Sequence, residues 1–284
     1  MLWITGSRGL LGSALLSKCK AALHLDVVAT GKEVDVADLR ALRAFAKGHR
    51  AITHIVNCSA FSEVDKAQSQ PEEAFRTNAI GPENLALLAK EMGAHLIHIS
   101  TDYVFSGPRK IPFTETDLPM PCNVYGKTKL EGEKRALALG ACVIRTSWLF
   151  GVGGKNFVPK TMEMLRSQEE VRLTDDQWSK FTYAPDLSEA ILQMLDQRGL
   201  FQFANEGVVS RYEFGVALWE EALAMGYKIA AKKVVPVPGS TFAAACERPV
   251  YSALDTGKIE KIVPVRPWRA ALKDFLCEQL LIYS

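Results

Sequence analysis

Three residues of this chain have types and a spacing suited to proton transfer: Thr101, Tyr125 and Lys129. Thr101 lies in the run Ser100-Thr101-Asp102-Tyr103-Val104-Phe105, and the other two in Tyr125-Gly126-Lys127-Thr128-Lys129. On a helix, side chains at i and i+4 share one face. An ammonium beside a phenol favours phenolate, so the tyrosine pKa is expected to fall. A hydroxyl, a phenol and an ammonium together suit proton exchange with a carbonyl or alcohol oxygen near neutral pH. Alone, Tyr-x-x-x-Lys fits equally a packed tyrosine and a solvated lysine on any helix. The elements that position these residues must decide.

Those elements alternate. Leu2 to Thr5 is a β-prone run, followed by a helical stretch from Leu10 to about Lys20. Strands are predicted at Val27–Thr30, Ile52–Asn57, His95–Ser100 and Cys142–Arg145, with helices at 36–47, 71–92 and 125–139 between them. Strand and helix in alternation imply right-handed βαβ units, hence an α/β, Rossmann-like doubly wound parallel sheet. After residue 150 the rhythm changes. Helices are expected near 157–167, 185–197 and 210–226 with short strands between them. A closing amphipathic helix follows, carrying Trp268, Ala271, Leu272, Phe275 and Leu276 on one stripe. This predicts a dinucleotide-binding domain over 1–150 and a smaller substrate-binding lobe over 151–284, interleaved with it.

Between the first strand and first helix lies Gly6-Ser7-Arg8-Gly9-Leu10-Leu11-Gly12, a G-x-x-G-x-x-G loop. Its glycines permit a tight turn and close backbone approach to a pyrophosphate, which the helix N-terminus then faces. The tip of the second strand reads Ala29-Thr30-Gly31-Lys32-Glu33, with no Asp to hold ribose hydroxyls. Lys32 and Arg8 can reach a 2′-phosphate there, which favours NADPH, and Glu33 keeps NADH as the alternative. Asp35-Val36 is expected at the adenine, with Asp35 accepting from the exocyclic amine.

Composition narrows the class. The chain has 284 residues, 48% hydrophobic and 23% charged, with a formal net charge of +2. So small a charge argues against nucleic acid or a membrane surface as partner. Cys19, Cys58, Cys122, Cys142, Cys246 and Cys277 have no metal-binding spacing, which points to a reduced, cytoplasmic setting. His54, His95 and His98 form no H-E-x-x-H-like cluster and are expected to be structural, so no metal is expected. No apolar run reaches the roughly 18 residues of a membrane span. The apolar start, Met1 to Leu16, lacks a basic n-region and reads as part of the fold.

Taken together, these segments resemble the extended short-chain dehydrogenase/reductases, and within them the dTDP-4-dehydrorhamnose reductase family. The likeness runs through Gly6 to Gly12, Asn57-Cys58-Ser59-Ala60 with Val64-Asp65-Lys66-Ala67, Ser100 to Gly107, and Asn123 to Lys129 with Gly132-Glu133. It continues in Arg145-Thr146-Ser147-Trp148-Leu149-Phe150-Gly151, Asn156-Phe157, Asp176-Gln177, and Arg248-Pro249 with Ser252 and Leu254-Asp255. The resemblance implies reduction of the C4 keto group of a nucleotide-linked deoxysugar, dTDP-4-dehydro-L-rhamnose, by NADPH. It makes Tyr125 the proton donor. Lys129 would hold the nicotinamide ribose and lower the tyrosine pKa, and Thr101 would bind the reacting oxygen. Ser59, Ala60 and Phe61 would line the middle of the cofactor. Asp102 and Trp148 would contact the nucleotide-sugar, and Arg248 would close that site, an arginine being able to grip a diphosphate bidentately.

The chain also departs from the family. Asp-Gln-x-Gly-x-Pro-Thr is replaced by Asp176-Gln177-Trp178-Ser179-Lys180-Phe181-Thr182, and Phe61 stands where His or Tyr is frequent. Some members dimerise through a metal held partly by the first helix. Ser13-Ala14 offers no carboxylate, so a monomer or a homodimer without a magnesium bridge is expected. A dehydratase would follow Thr with Asp-Glu, and Tyr103 stands in place of that Glu. Three alternatives remain: a 4-ketoreductase for another sugar nucleotide, an epimerase, and a non-catalytic NADP-binding subunit like the regulatory subunit of methionine adenosyltransferase. The intact Thr101, Tyr125 and Lys129 set speaks against the last.

Overall fold

In the computed structural model, which describes residues 1–21, 26–154 and 156–283, the apolar runs form the expected sheet. The first half places β1 at Leu2–Thr5, α1 at Leu10–Ala21, β2 at Val27–Thr30, α2 at Leu39–Gly48 and β3 at His54–Asn57. There follow α3 at Val64–Ser69, α4 at Pro71–Phe75, α5 at Gly81–Met92, β4 at His95–Thr101, α6 at Val124–Ala138 and β5 at Cys142–Thr146. The second half adds β6 (Leu149–Phe150), α7 (Phe157–Ser167), β7 (Glu170–Thr174), β8 (Trp178–Ser179), β9 (Thr182–Tyr183) and α8 (Ala184–Gln193). Last come β10 (Gly199–Phe203), β11 (Val209–Ser210), α9 (Arg211–Ala224), β12 (Lys233–Val237) and α10 (Trp268–Tyr283).

Six strands pair in parallel in the order β2-β1-β3-β4-β5-β10. Both sheet faces are covered, as an all-parallel sheet requires, and period-2 alternation decides which side chain goes where. Leu2 and Ile4 pack with Leu11 and Leu15 of α1 and Leu187, Ala190 and Ile191 of α8. Trp3, between them, points the other way, to Leu42 of α2 and Leu85, Leu88 and Ala89 of α5. The chain leaves β1 for β2 on one side and crosses to β3 on the other. The crevice at the C-terminal ends of β1 and β3 is therefore the switch point where such sheets bind ligands.

Beyond residue 150 the chain divides its work. Both α8 and β10 return to the large sheet. A second core joins Phe150, Phe181 and Phe214 with Val158 of α7, Leu218 of α9 and Phe275 of α10. Phe181 and Phe214 stack at 3.7 Å between ring centroids.

Two helices differ from expectation for local reasons. The helix expected from Val36 starts at Leu39, because Asp38 caps it by accepting from the N–H groups of Arg40 and Ala41. The helix expected over 71–92 is interrupted by a π turn at Arg76–Ile80. Pro82 has no N–H to give the Asn78 carbonyl. That carbonyl instead faces Gly132 of α6, where a Cβ would lie only 2.0 Å from it. Among the described residues, no helix is long and apolar enough to cross a membrane.

Candidate active site

The glycine loop sits in the switch-point crevice. Gly6 adopts φ +65°, and a Cβ on it would lie 2.6 Å from the Ser59 nitrogen that follows β3. A Cβ on Gly12 would lie 2.3 Å from the Gly6 carbonyl oxygen. Only glycine lets these backbones approach so closely, which is the cradle a pyrophosphate needs. The Gly9 nitrogen closes the turn onto the Gly6 carbonyl at 3.0 Å. Leu10 and Leu11 open α1; Leu11 is buried in the sheet core, leaving its backbone rather than its side chain for a ligand.

At the tip of β2, Glu33 accepts from the Gly31 nitrogen at 2.6 Å and pairs with the exposed Arg8 guanidinium at 3.2 Å. The Gly31 hydrogen bond, with Arg8 adding to it, holds the Glu33 carboxyl below its usual range. Lys32 is exposed beside them. Asp35 accepts from the Ala37 nitrogen at 2.9 Å and pairs with Arg76. Val36 is buried against Gly81, so it serves the core. The backbone of 59–61 hangs from two asparagines. Asn57 Oδ1 accepts from the Ser59 nitrogen at 3.0 Å, while Asn78 accepts from the Phe61 nitrogen at 2.8 Å and donates to its carbonyl at 3.1 Å. Ala60 lies exposed between them.

Thr101 ends β4, and Asn123 caps α6 by accepting from the Gly126 nitrogen at 2.9 Å, which sets Tyr125 in the first turn. A Cβ on Gly126 would lie 2.1 Å from the Tyr103 carbonyl, so α6 presses directly on the Thr101 segment. Tyr103 meets Tyr125 edge to face at 5.7 Å. Burial raises the Tyr125 pKa above a phenol's usual value, and a hydrogen bond with Thr101 opposes that rise.

Lys129 is buried on the inner side of α6. Its buried ammonium donates to the Ile99 carbonyl at 2.6 Å and lies 3.5 Å from His98 Nε2. Burial brings it down to about 8, against the opposing pull of Glu133 and Cys58. Burial is the largest influence on Tyr125, and Asp102 and Tyr103 add to the rise. A raised pKa still suits a proton donor: the phenol stays protonated until an alkoxide, far more basic, develops beside it. Behind Lys129, His98 Nδ1 lies 3.0 Å from Asn57 Nδ2, and Asn57 Oδ1 also accepts from Thr5 Oγ1 at 2.8 Å. Burial and the neighbouring ammonium keep His98 neutral. A polar chain thus runs from β1 to α6 beneath the crevice.

Asp102 is buried and saturated. It accepts from Thr101 at 3.2 Å, Ser179 at 3.2 Å and Ser252 at 2.5 Å. Trp148 has φ +38°, the one non-glycine residue with positive φ among the described residues. A bulky residue there is strained, and such strain clusters at functional sites. The Arg211 guanidinium covers its ring at 4.3 Å. Burial lowers the Arg211 pKa, while Tyr103 and Asp102 support its charge. Arg248 pairs with Asp65 at 2.8 Å and lines a 390 Å³ recess with Asp176, Gln177 and Cys246.

Tyr103 links several of these groups: Tyr125 packs on its ring, and Asp102, Arg211 and Arg248 all lie close enough to act on its phenol. Arg211 was not foreseen. Its sequence signal is the Ser210-x-x-Glu213 capping box, which marks a helix start but not the direction of its first side chain.

Comparison with known proteins agrees with this geometry. The family model described as the RmlD substrate binding domain matches residues 1–281. A dTDP-4-dehydrorhamnose reductase of Mycobacterium tuberculosis is 37% identical over 288 residues, covering 95% of this chain and 90% of that protein. A dTDP-4-keto-6-deoxy-D-glucose reductase of Streptomyces niveus is 32% identical over 277 residues, covering 95% and 94%. The crystal structure of dTDP-4-dehydrorhamnose reductase from Bacillus anthracis in complex with NADP superposes with a TM-score of 0.90 at 30% identity, covering 98% of each chain. The chain belongs to the RmlD family of dTDP-4-dehydrorhamnose reductases, which are NAD(P)H-dependent oxidoreductases.

Proposed function

We propose that this enzyme reduces the C4 keto group of dTDP-4-dehydro-L-rhamnose with NADPH, giving dTDP-L-rhamnose. The observation that carries this reading is the packing of Tyr125, in the first turn of α6, edge to face on Tyr103, whose N–H donates to Thr101, beside a glycine-lined switch-point crevice. The cradle at Gly6 and Gly12 fits a dinucleotide pyrophosphate, with Arg8 and Lys32 at the far end for a 2′-phosphate. The bound reduced nicotinamide supplies the hydride. Thr101 turns its hydroxyl from Asp102 Oδ1 to the carbonyl oxygen, and Tyr125 donates its phenolic proton as negative charge grows there. Both donors matter most at the transition state, where that charge is greatest. Lys129, fixed by Ile99 and His98, holds the ribose end. Trp148, Arg211 and Arg248 take the nucleotide-sugar, with the two guanidiniums for its diphosphate.

The atypical loop from Trp178 to Phe181 favours a second reading, reduction of a different 4-keto-6-deoxysugar nucleotide. Ser179 brings an extra hydroxyl to Asp102 inside the site. Following NADPH oxidation with dTDP-4-dehydro-L-rhamnose and with dTDP-4-keto-6-deoxy-D-glucose separates the two. Turnover confined to the second compound would move the assignment to it. Turnover with neither would overturn both.

A further inference from the structure

At the opposite end of the sheet from the crevice, His54 opens β3 and His95 opens β4. The parallel register sets them side by side, with ring centroids 5.2 Å apart. Asp196, on the turn between α8 and β10, brings Oδ1 to 3.1 Å from His54 Nε2. One ligating atom from each of the three lies within 4.8 Å of the other two. His95 Nδ1 is buried and has no hydrogen-bond partner, an arrangement that usually calls for a ligand or a water. No local spacing announces these residues; the register of the sheet assembles them.

We propose that His54, His95 and Asp196 form a binding site for a borderline divalent transition-metal ion such as Zn²⁺, separate from the active site. Two imidazoles and one carboxylate suit such an ion, whereas Mg²⁺ and Ca²⁺ prefer all-oxygen shells. Donor atoms around tetrahedral zinc stand about 3.4 Å apart, given bonds of about 2.0–2.2 Å. The site must therefore close a little, and the 83% exposed Asp196 side chain can provide that motion. The Thr53 hydroxyl donates to the Met1 carbonyl at 3.4 Å and lies 2.9 Å from His54 Nδ1. It can accept from Nδ1–H, which leaves the Nε2 lone pair for the metal. The nearby Arg198 guanidinium is tied to the Gly140 carbonyl at 2.8 Å. The bound ion would clamp β3, β4 and the α8–β10 connection, with water completing its shell.

The test is calorimetric titration of tag-free enzyme with Zn²⁺ and, separately, Mg²⁺. Zinc is expected to bind one-to-one and to raise the melting temperature, with no comparable effect of magnesium. Asp196→Asn, an exposed change that spares the fold, should weaken zinc binding by roughly tenfold or more. His54→Ala/His95→Ala should abolish it, with turnover in the absence of zinc unchanged. Absence of saturable zinc binding would overturn the proposal. So would zinc affinity unaltered in Asp196→Asn and the double variant, which would place the ion elsewhere, or magnesium binding equally well.

Discussion

Ser252 donates its hydroxyl to Asp102 Oδ2 over 2.5 Å, joining the strand end that carries Thr101 to a residue 150 positions further along the chain. Ser179 reaches the same oxygen from the atypical loop. One buried carboxylate thereby ties β4 to two segments of the C-terminal half. Thr101 is held by it too, donating to Oδ1 at 3.2 Å. Asp102, expected at the substrate, accepts from three hydroxyls and so holds Thr101 beside it.

Burial raises the Asp102 pKa to about 6 from an ordinary 3.8, although the three hydroxyls oppose the rise. The folded state thus holds this proton more tightly than the unfolded state. The resulting stabilisation is complete below about pH 3.8 and is lost as pH rises to about 6. Asp102→Asn cannot ionise. Its stability relative to wild type should improve between pH 4 and pH 7, by up to about 3 kcal/mol at 1.36 kcal/mol per pKa unit. Urea unfolding at the two pH values measures this, and a difference independent of pH would contradict it.

Period-2 alternation and βαβ rhythm place five strands of the sheet, since Leu2, Trp3 and Ile4 announce which faces they serve; the sixth, β10, comes from the half read as a substrate-binding lobe. The glycine loop and the Thr101, Tyr125 and Lys129 set were legible for the same reason: local motifs carry their own geometry. What escaped depends on contacts distant in sequence. The π turn at Arg76–Ile80 goes with Pro82, which has no N–H for the Asn78 carbonyl, and with Gly132, which leaves that carbonyl room; the direction of Lys129 depends on Ile99 and His98 of the neighbouring strand. Arg211 reaches the site only because the second core turns the start of α9 toward Trp148.

Arg211 is expected to bind the nucleotide-sugar. Arg211→Ala should raise KM for that substrate by about ten- to a hundredfold, the range for a lost charge-assisted hydrogen bond. The Kd for NADPH, measured by fluorescence titration, should stay unchanged. An equal loss of cofactor affinity would place Arg211 elsewhere in the mechanism.

Arg8 and Lys32 should set the cofactor preference. Arg8→Ala/Lys32→Ala is expected to weaken NADPH about tenfold or more, with little effect on NADH, because only NADPH carries the 2′-phosphate. Steady-state kinetics with both cofactors reads this directly. Parallel losses for the two would refute it.

Gly132→Ala tests the packing of α6 on the π turn. Its Cβ would meet the Asn78 carbonyl at 2.0 Å, and both are backbone elements with little room to shift. Overpacking of this kind should cost about 1–3 kcal/mol. Thermal unfolding should show a clear drop in Tm; a wild-type Tm would mean that the turn adapts freely.

The central claim is that Tyr125 gives the proton and Thr101 steadies the oxygen that receives it. Its most direct test is the rate of NADPH oxidation by Tyr125→Phe with dTDP-4-dehydro-L-rhamnose, alongside NADPH binding by the same variant. Turnover should fall by about a hundredfold or more, the usual contribution of a general acid, while cofactor binding is retained. Near-wild-type turnover in Tyr125→Phe would contradict the account.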